Sequence, residues 1–218
     1  MRVVVVASGD LDARDEAWLD DAGLVFAADG GGASLDRLGR RPDRLVGDLD
    51  SIDEELATRL EASGVPIDRH PADKEGSDTE LAIGAALAAG ATQVILLGAL
   101  GGERVDHALA NLLILTDPGF RGRDVRLVHG TTTVRVVHGG EQLTLVGSPG
   151  DVVTLLAIGV DATGVTTAGL RWALSAAVLR AGRSRGLSNE VIESPASVLL
   201  ERGTLLVVES ATEGAHIP

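Results

Sequence analysis

The spacing of apolar runs changes once along this chain, and the change divides it in two. Up to residue 129, short β-branched runs alternate with longer amphipathic segments. Val3–Ser8, Leu24–Ala28, Arg44–Gly47, Val65–Arg69, Gln93–Leu97 and Val125–Val128 read as strands. Ala13–Asp21, Gly32–Leu38, Asp53–Ala62, Asp78–Ala89 and Asp106–Leu115 read as helices between them. A strand buried on both faces is apolar throughout, so this alternation implies a parallel sheet covered by helices on both sides.

From Thr131 onward the rhythm shortens. Thr133–Val137, Gln142–Val146, Val152–Ala157, Gly164–Ala168, Glu190–Glu193, Val198–Glu201 and Leu205–Glu209 read as short strands. Gly139-Gly140, Ser148-Pro149-Gly150 and Arg202-Gly203 supply turns between them. Many short strands at close spacing imply a small β-sandwich. Ser175–Arg180 fits a helical turn or a loop equally well, and the tail, Ala211–Pro218, reads as frayed. The expected fold is therefore an N-terminal Rossmann-like α/β domain, 1–129, followed by a C-terminal β-sandwich, 130–218.

Composition narrows the partners. A net charge of −13 disfavours a nucleic-acid backbone or an anionic membrane. The chain has no cysteine, which rules out disulfides and zinc–thiolate sites and suits the cytoplasm. The opening run, Met1 to Ser8, is cut short by Gly9-Asp10-Leu11-Asp12 and reads as a buried first strand rather than a leader.

Acidic and glycine-rich phrases gather where strands hand over to helices. The first is Asp29-Gly30-Gly31-Gly32, where glycine lets backbone N–H groups approach a phosphate, although a tight turn without ligand would look the same. The second is Gly47-Asp48-Leu49-Asp50-Ser51. On an extended chain Asp48 and Asp50 point the same way and could share a metal ion; alternatively Asp50 and Ser51 cap the next helix. The third, Asp73-Lys74-Glu75-Gly76-Ser77-Asp78, holds the only lysine of the chain. Asp78 could complete a metal shell, with Lys74 and Ser77 on phosphate, or the phrase is a charged loop with a capping serine. A fourth phrase, Gly101-Gly102-Glu103-Arg104-Val105-Asp106-His107, offers Arg104 as a bidentate phosphate ligand and His107 as a base or a packing residue. In the second half, Gly169-Leu170-Arg171-Trp172 and Ser188-Asn189-Glu190 stand out. Trp172 could stack on a heterocycle, while periodicity alone favours a core tryptophan.

Taken in order, these phrases resemble the thiamine pyrophosphokinase (thiamine diphosphokinase) family. The matches are Asp29-Gly30-Gly31, Pro42-Asp43 through Gly47-Asp48-Leu49-Asp50-Ser51, Asp73-Lys74 through Ser77-Asp78, the Gly-Gly turn to Asp106-His107 with Ala110-Asn111-Leu112, Gly169-Leu170-Arg171-Trp172, and Ser188-Asn189-Glu190. The resemblance implies transfer of a diphosphate from ATP to thiamine, giving thiamine diphosphate and AMP, in a Mg²⁺-dependent homodimer. It implies that Asp48, Asp50 and Asp78 are catalytic metal ligands. Asp29, Gly30, Gly31, Ser51, Lys74, Ser77, Arg104 and Asp106 would line the ATP site, and Trp172, Ser188 and Asn189 the thiamine rings. Thiamine would lie between the crest of one subunit and the β-domain of the other. Three departures from the family pattern are Glu75 and Ser77 for Asp and Thr, an extra Glu103 in the Gly-Gly turn, and Trp172 for Tyr.

Rival readings are a Mg²⁺ phosphohydrolase with an Asp-x-Asp pair, a diphosphokinase acting on a pterin alcohol, and a non-catalytic nucleotide- or thiamine-binding regulator.

Overall fold

The computed structural model describes residues 1–102 and 104–212, which form two compact units. One comprises Met1–Ile114 and Gly122–Gly130; the other comprises Leu115–Arg121 and the described chain from Thr131. Glu103, and the part of the expected frayed tail beyond residue 212, lie outside the described residues.

The first unit is built on six strands: β1 (Arg2–Val6), β2 (Leu24–Ala28), β3 (Arg44–Gly47), β4 (Ile67–Arg69), β5 (Gln93–Leu97) and β6 (Asp124–His129). They lie in the order β6-β5-β1-β2-β3-β4, and every pair is parallel. Val3, Val4, Val5 and Val6 are each 0 % exposed, as a central strand covered on both faces requires. Each such side chain contributes about 1.5–3 kcal/mol of burial.

The helices are α1 (Glu16–Asp20), α2 (Gly31–Arg37), α3 (Glu54–Ala62), α4 (Asp78–Ala88) and α5 (Val105–Ile114). The helix expected over Ala13–Asp21 divides into a 3-10 turn, Ala13–Asp15, and α1. A local cap explains the division: Asp12 accepts from Arg14 N, and the buried Asp15 carboxylate accepts from Asp12 N and Gly130 N, both at 2.9 Å. Helix α4 turns Thr79, Ala82, Ile83 and Ala86 inward, an i, i+3, i+4, i+7 stripe of mostly small residues. Those residues let it lie close over β1, β2 and β3, with its N-terminus at their carboxyl ends. The strands run outward from β1 to β4 and then return to β5 on the far side of β1. That reversal is where open parallel sheets leave a crevice.

The second unit has two antiparallel sheets. One holds β7 (Thr132–His138), β9 (Val152–Ala157), β12 (Asn189–Glu190) and β14 (Thr204–Ser210), in the order β12-β9-β14-β7. The other holds β8 (Glu141–Thr144), β10 (Ala162–Ala168), β11 (Ala177–Leu179) and β13 (Ser197–Leu200), in the order β11-β10-β13-β8. Val137, Val153, Leu155, Leu205 and Val207 from the first sheet pack with Val165, Leu179, Val198 and Leu200 from the second. This is the expected sandwich. The segment left open between helical turn and loop contains strand β11, paired with β10 at Ala162↔Leu179 and Val165↔Ala177.

A buried ion pair ties this unit together. Arg135 Nε and Nη2 donate to Glu209 Oε2 at 3.0 and 2.5 Å, and Glu209 Oε1 accepts from Val146 N at 2.6 Å. Among the described residues no helix is long and apolar enough to cross a membrane.

Candidate active site

Two strand ends and one helix start of the first unit bring three carboxylates together. Asp29 follows β2, Asp48 follows β3, and Asp78 opens α4 beyond β4. One oxygen from each lies within 4.8 Å of the other two. Asp29 is held by a left-handed backbone, φ 46°, with its N–H donated to Val46 O at 2.9 Å. Gly47, at φ 150°, is the point of closest approach: a Cβ there would meet Asp78 Oδ1 at 2.9 Å and Asp29 Cβ at 3.1 Å. Gly31 is equally constrained, since a Cβ would fall 1.9 Å from Val6 O.

Lys74 sits among these acids. Its Nζ donates to Asp48 Oδ2 at 2.7 Å and lies 3.0 Å from Asp78 Oδ1. The hydrogen bond from Lys74 holds the Asp48 carboxyl below the ordinary carboxylate value. Desolvation pulls the Lys74 ammonium down, but Asp48 and Asp78 outweigh it and its pKa is raised. Asp78 Oδ1 is buried and accepts no hydrogen bond; the ammonium contact is an ion pair without hydrogen-bond geometry. Three carboxylates this close, neutralised only in part by one ammonium, fit a small hard divalent cation that takes oxygen donors.

Asp50 lies outside this group. Leu49 adopts φ 66°, so the chain turns between Asp48 and Asp50 instead of running extended, and the premise that placed both carboxylates on one side does not hold. Asp50 is exposed, and its Oδ1 accepts from Ser51 Oγ at 2.9 Å. Asp29, which the resemblance set at the ATP and metal site without counting it among the metal ligands, is the third carboxylate of the group. Its signal was the strand–Asp–Gly pattern, without any spacing that tied it to Asp78.

A cleft of ≈ 360 Å³ opens beside the carboxylates, lined by Ser8, Asp29, Ser51, Lys74, Ser77 and Asp78 together with His107 and Asn111 from α5. That volume is in the range of small-molecule sites, about 300–1,000 Å³. Ser77 caps α4, accepting from Glu80 N at 3.2 Å, which leaves its own hydroxyl hydrogen free. Asn111 is buried and donates to Ala99 O at 2.9 Å; as a polar residue on an apolar helix it carried a signal to which no role was attached. Gly30 and Gly31 start α2 behind Ser8 and Ser51. Arg104 and Asp106 are not among the residues lining the cleft; they form an exposed bidentate pair at 2.9 and 2.6 Å, and the guanidinium depresses the Asp106 pKa.

In the second unit Trp172, Ser188 and Asn189 are brought together. Trp172 N donates to Asn189 Oδ1 at 3.0 Å, and Asn189 Nδ2 donates to Trp172 O at 2.9 Å. Ser188, at φ 55°, donates its N–H to Thr154 Oγ1 at 3.0 Å. Periodicity favoured a core position for Trp172; instead it is 59 % exposed, while Trp18 is the buried tryptophan.

Two family models match this chain. Residues 15–128 fit "Thiamin pyrophosphokinase, catalytic domain", and residues 140–205 fit "Thiamin pyrophosphokinase, vitamin B1 binding domain". The chain belongs to the thiamin pyrophosphokinase family. It is similar to the thiamine pyrophosphokinase of Bacillus subtilis (strain 168), 25 % identical over 193 residues, which span 88 % of this chain and 90 % of that one. The fold matches a crystal structure of Thiamine pyrophosphokinase from Bacillus subtilis with a TM-score of 0.85, at 23 % identity, covering 97 % of this chain and 99 % of that one. It also matches Thiamin pyrophosphokinase from Candida albicans with a TM-score of 0.80, at 15 % identity, covering 96 % and 89 %. Membership of the thiamin pyrophosphokinase family makes the chain a diphosphotransferase. It supports neither the phosphohydrolase and pterin readings nor the non-catalytic one.

Proposed function

We propose that this chain transfers the diphosphate of ATP to the primary hydroxyl of thiamine, releasing AMP, with Mg²⁺ bound at the carboxylate crest. The observation that carries the reading is the convergence of Asp29, Asp48 and Asp78 beside a cleft of small-molecule size. Asp29, Asp48 and Asp78 would hold the cation, and Asp50, placed in the metal set by the resemblance, would be a flanking acid. A bound Mg²⁺ would neutralise charge on the phosphate oxygens as the bond to the leaving AMP breaks.

The remaining work falls to the protein. Lys74 supplies a point charge to the diphosphate, and the Ser77 and Ser51 hydroxyls supply hydrogen bonds. The carboxylates would repel the polyanion without a cation to neutralise them, so ATP binding would require the metal. Positioning dominates in such transfers, and no side chain is needed as a strong base; His107 lines the cleft and orients substrate. Arg104 and Asp106 join the ATP site only if their mutual ion pair opens. In the second unit, Trp172 gives a free aromatic face to the thiamine rings, with Ser188 and Asn189 beside it. The working form is a homodimer in the cytoplasm, where ATP and Mg²⁺ are both supplied. The catalytic domain is 1–129 and the thiamine-binding domain 130–218.

The test is incubation with ATP, MgCl₂ and thiamine, followed by chromatography. Equimolar AMP and thiamine diphosphate support the proposal; ADP with thiamine monophosphate, or no transfer, refutes it. Light scattering of the purified chain tests the dimer, with the mass of a single chain as the contrary result.

A further inference from the structure

An exposed tryptophan on a short irregular segment needs something other than packing to fix it. Trp172 is 59 % exposed, yet its backbone is gripped at both polar atoms by one side chain. Asn189 is only 8 % exposed. Its Oδ1 accepts from Trp172 N at 3.0 Å and from Glu190 N at 2.9 Å, and its Nδ2 donates to Trp172 O at 2.9 Å. Both acceptor sites of the amide oxygen are therefore used, and one of its two N–H donors is spent as well. A side chain so committed has little left for a ligand.

The clamp is set in a rigid frame. Asn189 lies in β12, paired with Val153 of β9. On either side of it, Arg171 N donates to Glu190 O at 2.9 Å, and the Arg171 guanidinium meets Glu190 with two bonds of 2.8 Å. Gly169 O accepts from Ile192 N at 2.8 Å, and Gly169, at φ 73°, has no room for a side chain, since a Cβ would lie 2.6 Å from Glu193 O. Segments 169–172 and 189–193 are thus stitched together through backbone and side-chain bonds that leave the Trp172 indole unattached.

We propose that Asn189 is a positioning residue, not a thiamine ligand: it presents the Trp172 ring, fixed in advance, to the heterocycle. This rests on the reading of Trp172 as the thiamine-facing residue. Burial of Asn189 and the double bond to Trp172 carry it; pre-fixing the ring spares the ordering cost of binding, so its loss weakens thiamine binding while leaving the transfer step intact.

The test uses the full chain with Trp18→Phe, so that Trp172 is the one fluorophore among the two tryptophans. Three readouts are collected for Asn189→Ala: KM for thiamine, kcat, and the fluorescence anisotropy decay of Trp172. The expected result is a KM raised about tenfold, kcat within about twofold, and a new fast component of indole motion. Asn189→Asp is the second variant and guards against misfolding: it keeps an acceptor for Trp172 N but loses the donor to Trp172 O. It is expected to loosen the ring and raise KM by a smaller factor. Unchanged ring motion with raised KM would make Asn189 a direct ligand and overturn the proposal, as would unchanged KM with a loosened ring. A Trp172→Ala variant separates the two levels. If it leaves thiamine KM unchanged, the thiamine assignment itself fails; if it raises KM while both Asn189 variants behave as wild type, only the positioning role fails.

Discussion

The crest of the first unit and the tryptophan face of the second handle their polar groups in opposite ways. At the crest, three carboxylates converge around one ammonium, and a buried oxygen of Asp78 is left without a hydrogen bond. Beside Trp172, the Arg171–Glu190 and Asn189–Trp172 contacts satisfy one another, and what remains free is an apolar ring. The first arrangement keeps more negative than positive charge and fits the metal and polyphosphate proposed for it. The second is complete by itself and suits a flat organic ring. Charge is the working quantity in one unit, and shape in the other.

The sharpest way to break this contrast is at the crest. Asp78→Asn is expected to lower kcat by roughly 10²–10³-fold, because a charge aimed at the metal is lost, while melting temperature holds or rises as like-charge repulsion falls. Steady-state kinetics with thermal melts check both halves; a large fall in stability with normal kcat would make Asp78 structural. The converse change is Glu209→Ala in the second unit, which strands the Arg135 guanidinium in the sandwich. It is expected to cost about 3–5 kcal/mol of stability in urea titration, with the kcat of the surviving folded protein unaltered.

Smaller effects sharpen the comparison. Trp172→Ala removes the free ring and is expected to raise thiamine KM about tenfold with no change in ATP KM, as measured by initial rates. The smallest is a pH effect. The folded-state pKa of Asp48 lies below its ordinary value of 3.8, so its stabilising contribution is present above that value and is lost as pH falls through the lower folded one. Lys74→Met removes the main cause, so acid unfolding of that variant should lose part of its pH dependence below about pH 4. Identical acid titrations of variant and wild type would contradict the assigned ion pair.

Much of the architecture was legible because it rests on local pattern. Runs such as Leu24–Ala28, Arg44–Gly47 and Gln93–Leu97 coincide with β2, β3 and β5, since a buried parallel strand is apolar wherever both its faces are covered. Misplacements came where a distant partner decides the outcome. The 3-10 turn before α1 is held by the local Asp12–Asp15 cap, and the bond from Gly130 N to the Asp15 carboxylate, which local spacing does not reveal, adds to it. Strand β11 exists because β10 offers it an edge. At the crest, acids at strand ends were visible as candidates, but which three converge was decided by the backbone turns at Asp29 and Leu49. Periodicity drew Trp172 toward the core; it lies at the surface instead, its backbone clamped by Asn189.

Carboxylates that follow β2 and β3 and one that opens α4 are proposed to share one divalent cation. Titration of the protein with Mn²⁺, followed by electron paramagnetic resonance of the free ion, addresses that sharing without recourse to turnover. The account predicts one tight site in the wild type, weakened at least about tenfold by Asp29→Asn, Asp48→Asn and Asp78→Asn, and little changed by Asp50→Asn. Loss of the site in Asp50→Asn, together with its retention in Asp29→Asn, would contradict it.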